Sequence, residues 1–313
     1  MEGMRYKHLF GPVGSRRLGI SLGIDPVPHK TCTLNCVYCE CGKTTNLTLE
    51  RKEYIPTDEI LNELNEYLET SPDLDYITFS GSGEPTLHSR IGEIIDFLKR
   101  NYPQYKIAVL TNGTLFYNKK LRDEIKNADL IIPSLDAASD ELFRKINRPQ
   151  RELDINKIMD GLIEFRKEFS GKMWLEIFIV PGLNDTDDQL QLLKRAIKKI
   201  KPGRIQLNIL DRPGTEDWVI QAKKEALEKI ALFLDAEIIA EFKQRKKIRS
   251  FSRDIEENII STLRRRPCTA RDLSEMLGIH LNEINKYLRV LIKNGKINCK
   301  EEERGMFFKT KLK

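Results

Sequence analysis

The chain has 313 residues, 40% of them hydrophobic and 32% charged, with a net charge of +6; this is enough for one barrel-sized domain of about 200 to 250 residues plus a smaller one and excludes a disordered polyelectrolyte. The basic surplus is local, because residues 243–313 carry 19 Lys and Arg against 9 Asp and Glu, which leaves residues 1–242 at −4. No run approaches the ~18 apolar residues of a membrane span, and the first ten residues hold no leader-like hydrophobic stretch, so a cytoplasmic protein without a membrane partner is expected.

In chain order, Leu18 to Asp25 alternates well enough for a strand and runs straight into a cysteine-rich loop. Thr57 then reads as an N-cap, with Ile60, Leu61, Leu64 and Leu68 at helical spacing. The same unit repeats. Strands are predicted over 75–80, 105–111, 129–134, 173–180 and 204–210, and helices over 91–100, 118–126, 140–146, 154–169, 187–200 and 223–234. Six strands alternating with helices predict an α/β fold with a parallel sheet, either open and doubly wound or a partial barrel.

After a basic connector, placed at residues 243–253, a second pattern begins. Residues 254–264 read as a helix, Thr269 caps a short second one that Gly278 ends, and 281–293 makes a third. Two alternating segments, 296–300 and 306–311, complete three helices and a hairpin. This layout resembles a winged-helix module over 254–313, separate from a first domain at 1–242. The resemblance puts Asn282, Asn285, Lys286, Arg289 and Lys293 on the open side of the third helix, for nucleic-acid contact or, equally, for docking a protein or peptide. Three successive glutamates, Glu301 to Glu303, would repel phosphates at the tip of the hairpin.

Cys32, Cys36, Cys39 and Cys41 fall within ten residues. A free surface cluster of thiols would oxidise, so a shared metal centre is the economical reading. A structural zinc site places its ligand pairs a dozen or more residues apart, whereas three thiolates in one loop suit an iron–sulfur cluster that keeps one iron open. Cys41 stands outside the run, as a spare ligand or a plain reduced thiol.

The run Cys-x3-Cys-x2-Cys, with Tyr38 just before Cys39, resembles the signature of the radical S-adenosylmethionine (radical SAM) enzymes. The resemblance implies a partial (β/α)6 barrel and a [4Fe–4S] cluster on Cys32, Cys36 and Cys39. It further implies that S-adenosylmethionine occupies the fourth iron and is cleaved to a 5′-deoxyadenosyl radical, with an electron from a donor such as ferredoxin or flavodoxin. Ser82-Gly83-Glu84 resembles the family's Gly-Gly-Glu motif, with serine in place of the first glycine, and is expected to hold the cofactor's amino group. Ser134 and Asp136 fall where the family binds the ribose. Asn112, in Thr-Asn-Gly, lines the mouth or simply makes a turn. Glu176, a lone carboxylate on an apolar strand, is expected to reach a ligand.

His88 is read as a surface residue, and Arg148 as a grip for an anion or a surface ion pair. The segment Phe10 to Asp25 and the stretch Val180 to Asp185 resemble the branch that holds the wyosine-forming tRNA enzymes. In that branch a second cluster is bound by cysteines before the motif; none precedes Cys32 here, so that chemistry is expected to be absent. The substrate, an RNA base, a peptide or a metabolite, stays open. A rival reading is a redox-sensing regulator, in which the cluster reports and the winged helix binds DNA.

Overall fold

A computed structural model describes residues 6–239 and 255–311; the basic connector expected at 243–253 lies outside them. The chain opens on β1 (Leu9–Ser15) and β2 (Gly19–Ile24), followed by a small parallel pair, β3 (Thr31–Cys32) and β4 (Asn46–Leu47), that brackets the cysteine loop. Helix α1 (Thr57–Leu68) leads to β5 (Tyr76–Phe79), α2 (Ile91–Asn101) to β6 (Lys106–Thr111), and α3 (Lys119–Ile125) to β7 (Leu130–Pro133). Helices α4 (Asp140–Asn147) and α5 (Ile155–Glu168) precede β8 (Lys172–Phe178), α6 (Asp187–Ile200) precedes β9 (Arg204–Asn208), and α7 (Lys224–Leu234) precedes the short β10 (Glu237–Ile238).

The sheet runs β1-β2-β5-β6-β7-β8-β9-β10, parallel throughout except for β1 against β2. Its two outer strands do not pair with each other among the described residues, so the sheet is open. Leu22, Ile24, Ile77, Phe79, Ile107 and Val109 alternate on one face and are fully buried under the helices. Each such side chain contributes about 1.5–3 kcal/mol by leaving water. Helix α2 shows the matching pattern: Ile91, Ile94, Ile95 and Leu98 make one buried stripe. A Cβ on Gly161 of α5 would meet the backbone of Phe116 and Tyr117 at 2.5 Å, so only glycine allows that approach.

The strand β1 was not among the expected elements. Gly11, Pro12 and Gly14 are tolerated in it because it is an edge strand with a register shift between Phe10 and Val13. Thr57 is not an N-cap: Pro56 holds that position, and the Thr57 N–H donates to Glu53 Oε1 at 2.6 Å.

The C-terminal residues form their own core. Helices α8 (Ile255–Arg265), α9 (Ala270–Leu277) and α10 (Leu281–Lys293) pack with β11 (Cys268–Thr269), β12 (Ile297–Glu302) and β13 (Gly305–Thr310), whose sheet order is β11-β13-β12. Ile259, Leu263, Leu273, Ile284, Leu288, Leu291 and Phe308 fill it, and Val13 of β1 packs against it. Thr269 and Asp272 form the reciprocal cap of α9, and Gly278 ends that helix at φ 66°. Among the described residues no helix is long and apolar enough to cross a membrane.

Candidate metal and cofactor site

The strands β2, β5, β6, β7 and β8 deliver their C-terminal ends to one rim, where ligands bind in parallel α/β folds. The cysteine loop lies across that rim and is pinned by backbone bonds. The N–H groups of Asn35 and Val37 donate to Asn147 O and Ile146 O, both at 2.9 Å, and Glu216 N donates to Val37 O at 3.0 Å. These bonds anchor the loop that carries Cys32, Cys36 and Cys39 to the end of α4 and to the segment before α7.

Each of the three sulfurs faces an N–H donor from a different place in the chain. Lys30 Nζ donates to Cys39 Sγ at 3.0 Å, Asn147 Nδ2 to Cys36 Sγ at 3.4 Å, and Asn112 Nδ2 to Cys32 Sγ at 3.5 Å. Donors of this kind surround the sulfurs of cluster-binding cysteines and help to set their potential. Burial pushes the Cys32 thiol up to about 12 and the Cys36 thiol higher still, so both stay protonated until a metal displaces the proton. Among the described residues no group of three or more His, Cys, Asp or Glu is arranged to hold a metal ion. Three cysteine sulfurs in one loop, each with an N–H donor beside it, are the donor type that an iron–sulfur cluster takes.

Glu84 follows β5 and is 2% exposed. Its Oε1 accepts from Thr86 N at 3.0 Å, Thr86 Oγ1 at 2.5 Å and Thr111 Oγ1 at 2.6 Å, while Oε2 accepts from Asn112 N at 2.8 Å. Burial nonetheless raises its carboxyl above the ordinary range. The preceding loop rests on the cysteine loop: Lys30 N donates to Ser82 O at 2.9 Å, and Glu84 N to Thr31 O at 3.0 Å. A Cβ on Gly83 would stand 2.4 Å from Thr31 O, which is why glycine is required there.

Asp136, also buried, gathers donors from three directions. Its Oδ2 accepts from Tyr38 Oη at 2.5 Å and Asn147 Nδ2 at 2.7 Å, and its Oδ1 from Phe178 N at 2.8 Å. The Tyr38 ring stacks on Phe178 at 3.8 Å and 6°. Asp136 thus joins β8, the end of α4 and the cysteine loop into one network that ends on Cys36.

Ser82, Glu84, Asn112 and Asp136 connect to the cysteine loop through these bonds, and Gly83 through its close approach to Thr31. Ser134 and Glu176 form a separate pair, bridged through their backbones at the ends of β7 and β8. Glu176 is not a lone carboxylate, because Arg17 binds it; Arg17 lies in the N-terminal segment, and nothing in the sequence linked the two. His88 is a correction as well: it is fully buried, with Nε2 2.9 Å from Ile55 O. Arg148 pairs with Glu216. Cys41 Sγ faces Gly81 O at 3.9 Å. Lys30 and Asn147 were missed as sulfur partners; Lys30 stands two residues before Cys32, whereas Asn147 lies 111 positions from Cys36.

The C-terminal unit docks over the same rim. Arg265 Nε donates to Asp25 Oδ2 at 2.8 Å, and Asp25 Oδ1 accepts Ser82 N at 3.0 Å. Arg304 binds Asp211 and Asp272. Between sheet and unit lies a cavity of about 970 Å³, lined among others by Arg17, Glu40, Cys41, Arg212, Arg265 and Arg304. That volume is ample for a small ligand or one extruded residue of a polymer.

A family model of the radical SAM superfamily matches residues 27–202. The chain belongs to the radical SAM superfamily, within the group of UPF0026 proteins. It is 31% identical over 316 residues to the UPF0026 protein MJ1312 of Methanocaldococcus jannaschii, covering 97% of this chain and 96% of that one. It is 38% identical to a protein named GTPase Obg in Brachyspira hyodysenteriae over 94% of its own length, but spans only 44% of that relative. A dual-specificity RNA methyltransferase, RlmN of Pelobacter propionicus, is 28% identical over 56% of this chain and 50% of its own. Among solved structures, a radical SAM methyltransferase from Sphaerobacter thermophilus shares the fold, with a TM-score of 0.53 at 18% identity over 70% of this chain and 66% of that one. The chain is a radical SAM enzyme, and this superfamily uses a [4Fe–4S] cluster and S-adenosylmethionine.

Proposed function

We propose that Cys32, Cys36 and Cys39 hold the cluster and that the enzyme takes hydrogen from a substrate lodged in the cavity under the C-terminal unit. The observation that carries this reading is the set of three thiols in one rim loop, each met by its own N–H donor. When bound and reduced by a donor such as ferredoxin or flavodoxin, the cluster supplies the electron that cleaves S-adenosylmethionine to the 5′-deoxyadenosyl radical. The chain's own work is binding, orientation and exclusion of water.

On this reading the cofactor's methionine end lies along Ser82 and Gly83. Glu84 Oε1 is saturated by three donors, whereas Oε2 takes one and keeps acceptor capacity for an ammonium group. Asp136 acts by holding Tyr38 and Asn147 in place, which leaves ribose contacts to Ser134 and Glu176 at the ends of β7 and β8. Asn112 faces both Cys32 and the rim.

The helix and strand order of residues 255–311 supports reading the C-terminal unit as a winged helix. Lys286, Arg289 and Lys293 are carried on α10 and all three are exposed, as a nucleic-acid contact requires, and Asn285 lines the cavity. With an RNA methyltransferase among the relatives, an RNA nucleotide is the substrate we favour over a peptide. The regulator alternative gives no purpose to the Glu84 and Asp136 networks.

Reconstituted and reduced protein is expected to yield 5′-deoxyadenosine from S-adenosylmethionine. Replacing Cys32, Cys36 or Cys39 by alanine should abolish that yield, whereas Cys41→Ala should keep it. Turnover by a Cys39→Ala chain would refute the assignment.

A further inference from the structure

Lys30 is buried, with 4% of its surface exposed, and no part of the cofactor reading uses it. Its backbone stands at φ 58°, in the left-handed region that lysine adopts only under constraint. That conformation is enforced from three sides: Lys30 N donates to Ser82 O at 2.9 Å, and the N–H groups of Thr45 and Asn46 both donate to Lys30 O at 3.1 Å. Glycine would meet the same backbone demand without strain. A lysine at such a position points to a need for its side chain.

Among the described residues, the ammonium makes one hydrogen bond, from Lys30 Nζ to Cys39 Sγ at 3.0 Å, and no ion pair with a carboxylate. A buried ammonium is costly without an anionic partner, and the partner at hand is the Cys39 sulfur. A thiolate-bound cluster supplies that counter-charge, and its anionic character grows when an electron enters. Asn112 and Asn147 meet the other two sulfurs as neutral donors at longer range.

We propose that Lys30 is a positioning residue that fixes one positive charge against the Cys39 sulfur and thereby raises the reduction potential of the cluster, easing the entry of the electron. The proposal rests on the reading that Cys32, Cys36 and Cys39 hold a four-iron cluster. The physical ground is that nearby charge and hydrogen bonds to the sulfurs set cluster potentials, and a fixed cation favours the reduced, more negative state.

The test is a redox titration of the reconstituted protein, without S-adenosylmethionine, followed by the electron paramagnetic resonance signal of the reduced cluster. Lys30→Gln is expected to lower the midpoint by at least the equivalent of a tenfold change in the one-electron equilibrium constant, about 59 mV. Lys30→Arg, which keeps the charge, should titrate close to the unaltered protein. A Lys30→Gln midpoint equal to that of the unaltered protein, or a Lys30→Arg midpoint displaced as far as that of Lys30→Gln, overturns the proposal. If Lys30→Gln takes up no cluster, Lys30→Arg decides: an undisplaced midpoint supports the role and a lowered one refutes it. An unaltered chain that loads no iron would instead bring down the cysteine reading itself.

Discussion

Asp136 shows how much a single buried carboxylate organises. It accepts from Tyr38, Asn147 and Phe178 N, so Asp136→Ala removes the acceptor of Tyr38 Oη and Phe178 N, leaves Asn147 Nδ2 with Cys36 Sγ alone, and is expected to cost about 3 kcal/mol of stability, read as a fall in the denaturant midpoint of the metal-free chain. Asn147→Ala should leave the fold intact but weaken cluster retention about 10- to 100-fold, as loss of a supporting hydrogen bond does at metal sites; iron released to a chelator over time measures it. The grouping of Cys32, Cys36 and Cys39 in one loop is legible because they lie within eight residues of each other. Asn147 was not, because its contact with Cys36 spans 111 positions, and no local pattern reports such a pairing. Glu84 was legible as a motif, but its capture by Thr86, Thr111 and Asn112 depends on two strand ends meeting in space.

At the scale of elements, helices such as α2 and α6 were readable because an apolar residue returns every three or four positions. Two-residue strands such as β3, β10 and β11 carry no such signal. The start of α1 is held from outside the helix. Pro56 has no side-chain acceptor to offer, and Glu53 instead takes the Thr57 N–H and pairs with Arg90. The bonds from Thr57, then the Arg90 guanidinium, depress the Glu53 carboxyl to about 2. A depressed carboxyl stabilises the fold above its unfolded pKa of about 4.3, and that contribution is lost as pH falls toward 2. Glu53→Gln should therefore melt below the unaltered chain at pH 7, and the two melting temperatures should converge between pH 4 and pH 2. A gap that stays constant over that range would remove Glu53 from this role.

For the whole molecule, the question is how the C-terminal unit speaks to the rim. Asp25 stands between them, with Arg265 on one oxygen and Ser82 N on the other. Arg265→Ala frees the first oxygen and loosens the loop that carries Ser82 and Gly83. A coupling in the usual range would weaken S-adenosylmethionine binding on the order of tenfold, measured by equilibrium dialysis on cluster-loaded protein; unchanged affinity would mean that the unit covers the cavity without shaping it. The change in composition near residue 243 is visible in the sequence, but the docking of the C-terminal unit is not, since Arg265 and Asp25 are 240 positions apart.

The central claim is that three sulfurs of one loop carry a four-iron cluster. Its most direct measurement is the iron and acid-labile sulfide bound per chain after anaerobic reconstitution. About four of each are expected in the unaltered protein and in Cys41→Ala, and a collapse of both is expected in Cys32→Ala, Cys36→Ala and Cys39→Ala. One tightly held metal ion per chain without sulfide, or full loading in a chain that lacks Cys36, would contradict the account.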